Sequence, residues 1–189
     1  GTISDATDQA MVDFSIGSNL ANSSAIVVDG VAPTVASVKS TSTNTTYGTG
    51  ASINITVNFS ESVTLSSSSS MTVYLNSATD RTVSITSISS TSSASGTYTV
   101  VDGDASGDLS VDSIAVSSGA SLSDAAGNAM SSFSVPADSN LSDFNAIVIN
   151  TTKPSTPLGF AVNSNYGSVG LSWTAVSGVT GYKIYRSTS

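Results

Sequence analysis

A chain of 189 residues with a net charge of −8 and only 10% charged residues has room for one full domain and pieces of others. It contains no Cys and no His, which excludes disulfides, thiol catalysis, Cys-based zinc sites and every Ser–His–Asp or HExxH arrangement. The acidic balance repels nucleic acid and anionic lipid, so neither is an expected partner, and no apolar run of about 18 residues is available for membrane insertion.

Roughly a third of the residues are Ser or Thr, well above ordinary usage. Low charge with abundant Val, Ile and Thr favours strands over disorder. The first phrase, SDATDQAM at 4–11, returns as SDAAGNAM at 123–130, 119 residues later. Phe14 and Phe133 each follow the Met by three residues, and AIVVDGVAP at 25–33 answers AIVINTTKP at 146–154. Matching pieces in the same order at a domain-sized spacing are the mark of tandem repeats. Residues 1–30 therefore read as the C-terminal strands of a preceding repeat, and 31–153 as a complete copy of the next. Pro33 and Pro154 end their strands and mark the two boundaries. The chain reads as a window onto something longer.

Within 31–153 the dominant signal is alternation. A first strand runs from Asp29 through Lys39. In ASINITVNFS, residues Ile53, Ile55, Val57 and Phe59 share one face and Asn54, Thr56, Asn58 and Ser60 the other. This strand is expected to end at Glu61, the only Glu in the chain, and a short separate strand at 62–65 to return. Strands follow at 71–76, 81–88, 96–101, 109–116 and 119–123, with a last one in FNAIVIN. YGTG, DGDASGD and AAGN supply turns, and the Ser run at 66–70 a flexible hairpin connection. No amphipathic helix of useful length is visible. Short strands at regular spacing predict an all-β fold, a tandem antiparallel β-sandwich. After Pro154, the spacing predicts three strands, around Phe160 and Val162, Val169 to Trp173, and Tyr182 to Ile184. Trp173, in phase with Val169 and Leu171, is their expected core anchor.

An acidic chain suits hard cations, which take carboxylate oxygen. DGDASGDLSVDS at 102–113 imitates a calcium loop through Asp102, Asp104, Ser106 and Gly107, but it has Ser113 where a bidentate Glu is required, so an EF-hand is excluded. Alternating strand direction gathers Asp29, Glu61, Asp102, Asp104, Asp108 and Asp124 at one end, beside the preceding repeat. Crowded carboxylates repel unless neutralised, and calcium at that joint would neutralise them and stiffen it. The competing reading is a solvated acidic rim with no metal. Lys39 with Asn145 or Asn150 and Glu61 supplies the residue types of an intramolecular isopeptide bond, although Lys39 stands among Ser and Thr rather than in apolar surroundings.

VDGVAPTVASV, YGTGASINITVNFSESV, DRTVSI, TYTVVDGD, LSDAAGNAM and AIVINTTKP, taken in order, resemble the bacterial immunoglobulin-like repeats of very large surface and secreted proteins. Residues 154–189, from PSTP through LSWTAV to GYKIYRS, resemble the first third of a fibronectin type III domain. The repeats' linker commonly reads Val-Asp-Thr-Thr-x-Pro. Here the first linker is Val28-Asp29-Gly30-Val31-Ala32-Pro33, and the second keeps the Thr pair but has Asn150 in the Asp position. The resemblance implies Ig-like and fibronectin-like sandwiches in an extracellular or bacterial cell-surface protein. It implies a non-catalytic stalk or adhesin module whose partners are its neighbouring repeats, with any host or surface ligand held by other domains. The alternatives are a spacer in a secreted polysaccharide hydrolase, and a repeat that itself binds a receptor or carbohydrate.

Overall fold

The computed structural model describes residues 4–10, 26–77 and 81–187. The readings that fall on Phe14 and the rest of 11–25 lie outside the described residues.

The alternating apolar residues become strands because each can bury one face. β1 (Val35–Lys39) pairs antiparallel with β3 (Ser52–Leu65), which pairs in turn with β6 (Thr91–Thr99) and, near its far end, with β9 (Leu122–Ser123). A second sheet has the order β5 (Arg81–Ile85), β4 (Met71–Leu75), β8 (Val111–Val116), antiparallel throughout. A small third sheet closes one end. In it β10 (Val148–Asn150) lies between β2 (Thr46–Tyr47), to which it is parallel, and β7 (Ala105–Ser106). The inward residues of all these strands form one core, in which Val38, Ile53, Ile55, Val57, Val63, Met71 and Leu122 are fully buried. The expected all-β character, with several antiparallel sheets, is therefore present.

The two larger sheets come close together at Gly96. A methyl group there would overlap Val83 Cγ1 and crowd Ile85, so the absence of a side chain on β6 lets β5 pack directly against it.

Four expectations differ from the structure. β3 does not end at Glu61. It continues as one 14-residue strand to Leu65, with an irregularity between Asn58 and Val63 where it passes from β6 to β9. Val63 and Leu65 keep the inward phase of Ile53 to Phe59, so burial drives the strand onward past the single carboxylate. The Ser66–Ser70 run is not a hairpin connection, because β3 and β4 belong to different sheets. A short helix, α1 (Leu141–Phe144), stands where none was expected; Asn140 and Asp143 form its capping box. Finally, only two of the three strands expected after Pro154 form, the hairpin β11 (Ala161–Asn165) and β12 (Ser168–Ser172). Tyr182 to Ile184 pairs with neither, and a strand without a ladder partner has nothing to satisfy its backbone. Trp173 is half-buried and meets Tyr182 edge to face at 5.1 Å, whereas its in-phase neighbour Val169 is 66% exposed.

Candidate acidic site at the entry joint

Asp124 is positioned by its own turn. Its Oδ1 accepts from the Asn128 backbone N–H (2.8 Å) and its Oδ2 from the Asn128 side chain (2.8 Å). Gly127, at φ 93°, gives the turn the left-handed residue it needs. The first phrase folds in the same way. Asp5 Oδ1 accepts from Gln9 N–H (3.1 Å), and Asp8, at φ 61°, takes the place of Gly127. The bridge Ser4↔Ala10 matches Ser123↔Ala129, and Asp5 N–H to Gln9 O (3.0 Å) matches Asp124 N–H to Asn128 O (3.2 Å). One phrase, written twice 119 residues apart, thus makes one turn twice.

The Asn128 side chain also donates to the Asp29 carbonyl (3.2 Å), which ties the turn to the entering chain. Asp29 is exposed, Glu61 half-buried and Asp124 buried, and one carboxylate oxygen of each lies within 4.8 Å of the others. Glu61 enters this group because it occupies the inward phase of β3 at the point where β3 changes partner. Burial first, then the charges of Asp124 and Asp29, push its carboxyl above the usual glutamate value. Burial also pushes Asp124 upward, but hydrogen bonds from the Asn128 side chain and from the Asn128, Gly127 and Ala126 backbone outweigh it and hold that carboxyl low.

The other half of the expected cluster lies elsewhere. Because β3 runs straight through Glu61, β6 descends antiparallel to it and ends opposite Ser52. The nine steps from Ser52 to Glu61 at about 3.3 Å each separate the two levels by roughly 30 Å. Asp102, Asp104 and Asp108 follow the far end of β6, opposite to the end expected from a strand-direction count with a turn at 61.

Each of the three has its own local role. Asp104 is 0% exposed and accepts from Arg81 Nε (2.6 Å), the Tyr98 hydroxyl (2.6 Å) and Val101 N–H (2.8 Å). Burial, followed by this bond to Asp104, pushes the Tyr98 hydroxyl up to about 12. Asp102 pairs with Lys153 at 2.8 Å. The Asp108 carbonyl accepts from the Asn76 amide (3.0 Å). The pseudo-calcium loop therefore sends the Asp102 and Asp104 carboxylates to different partners. Lys39 lies 4.2 Å over the Phe144 ring, and the Asn145 amide bonds the Ser40 backbone in both directions (2.9 and 3.2 Å). The isopeptide reactants are thus each engaged elsewhere. The Arg81–Asp104–Tyr98 network left no trace in local sequence, because Arg81 and Tyr98 lie on strands of different sheets and Asp104 in the turn after the second.

No family model matches this chain, and no curated protein or solved structure is detectably similar to it.

Proposed function

We propose that the chain is a non-catalytic spacer segment of a long extracellular bacterial protein, built from tandem sandwiches that hold some other module away from the cell. The observation that carries this reading is the duplicated Asp-centred turn, Ser4–Ala10 and Ser123–Ala129, with its matched bridge and hydrogen bonds. Repeated units that contact only their neighbours form quasi-linear arrays. The immunoglobulin-like and fibronectin-like assignments, and the boundaries at 30 and 153, belong to the same reading. They rest on the residues quoted above.

Calcium at Asp29, Glu61 and Asp124 is the cation this reading assigns to the entry joint. Oxygens within 4.8 Å of one another can share an ion held at about 2.3–2.6 Å from each. The experiment is thermal melting of the full chain in millimolar calcium and in chelator, alongside Glu61→Gln. A calcium-raised midpoint that Glu61→Gln abolishes supports the joint; a midpoint indifferent to calcium removes the metal and leaves a solvated acidic rim. For the spacer itself, arrays of one and two head-to-tail copies are expected to unfold with equal midpoints and equal enthalpy per copy. A transition that sharpens with copy number would speak for a merged globule.

A further inference from the structure

The chain leaves the sandwich at the end opposite the acidic joint, and there it is fastened. The Thr151 hydroxyl accepts from Gly103 N–H (3.0 Å) and donates to the Asp104 carbonyl (2.8 Å). Lys153 Nζ reaches the Asp102 carboxylate (2.8 Å). Between them Thr152 N–H donates to Asn150 Oδ1 (3.0 Å), closing an Asx turn.

The turn that receives these bonds is itself immobilised. The Asp104 carboxylate bonds Arg81, the first residue of β5, and Tyr98, near the end of β6. Those strands belong to different sheets. One residue thus joins the two sheets through its side chain and the exit linker through its carbonyl.

We propose that Asn150 to Lys153 form a rigid exit clamp that fixes the direction in which the chain continues beyond Pro154. The inference deepens the spacer reading and rests on it. Among the described residues the entry linker shows no counterpart of this clamp. It repeats the Asx turn, with Val31 N–H donating to Asp29 Oδ1 (3.0 Å), but Gly30, Val31 and Ala32 stand where the exit has Thr151, Thr152 and Lys153. Asn150 preserves the turn of Asp29 without its charge, so the exit needs no cation. The hydroxyl is the main fastening. Lys153 and Asp102 side chains are 77% and 59% exposed, and an ion pair so exposed is screened by salt.

The test uses the full chain, whose lack of Cys allows spin labels at Thr97→Cys on β6 and Ser164→Cys on β11. A narrow distance distribution is expected, broadened by Thr151→Val and restored by Thr151→Ser. Lys153→Gln should broaden it at low salt only. In Thr151→Val the Gly103 amide should exchange roughly fivefold faster, the equivalent of one net hydrogen bond. Thermal midpoints of the variants report whether the sandwich itself stays folded. A distribution already broad in the parent chain, or unchanged by Thr151→Val, overturns the clamp. If the parent is broad while arrays still lengthen with each copy, the spacer reading survives as a freely jointed rod.

Discussion

At the scale of single residues, position matters more than type. Gly96 is one of many glycines, but it alone sits where β5 meets β6, with Val83 and Ile85 against its α-carbon. Gly96→Ala is expected to destabilise the fold by about 1–3 kcal/mol through overpacking, read as a lower urea midpoint with unchanged slope. Glu61 gives a pH signature. Its carboxyl is raised in the folded chain above the usual 4.5, so the native state takes up a proton before the unfolded state does. Stability should rise as pH falls from neutral towards 4.5, and Glu61→Gln should flatten that rise. Asp5 and Asp124 act oppositely. Hydrogen bonds hold them below 3.8, so their contribution is present above that value and lost as pH falls below it through their lowered folded-state values. A neutral-to-acid titration in which stability only declines would contradict the Glu61 assignment.

At the scale of elements, alternation made Ile53, Ile55, Val57 and Phe59 legible as one buried face, because period two is a direct consequence of the pleat. The same rule carried Val63 and Leu65. What misled the strand count was Glu61, a charged residue in an inward position that reads as a break. The compensation for it, a change of strand partner beside Asp124, comes from 60 residues further on. The cluster was therefore legible in half: Asp29, Glu61 and Asp124 meet, while Asp102, Asp104 and Asp108 follow a strand whose direction was inverted. α1 had a readable signal, Asn140 followed three residues later by Asp143, but its single turn is too short for periodicity. Asn140 does more than cap it. Its amide accepts from Val111 N–H (2.8 Å) and donates to Val111 O (2.8 Å), closing the edge of β8 like a strand partner. Asn140→Ala should cost about 1–3 kcal/mol, since two backbone groups and a helix end lose partners together. Amide exchange at Val111 should accelerate with it; retained protection there would refute the role.

At the scale of the whole molecule, the sandwich has two unlike ends. The entry gathers carboxylates contributed by the arriving chain, by β3 and by the repeated turn. The exit is held by a hydroxyl and an ion pair backed by the buried Asp104. Between them runs the Ser52–Glu61 stretch of β3, roughly 30 Å at about 3.3 Å per residue, and in the proposed rod this sets the length each copy adds. The repeated phrase makes such copies expected, and its matched turns make them physically alike at that corner. Small-angle scattering from one, two and three head-to-tail copies of residues 31–153 addresses this most directly. A rod of such copies has a maximum dimension that grows by a constant increment of roughly 30 Å per copy. A dimension that grows only with the cube root of mass, as for copies merged into one globule, would contradict it.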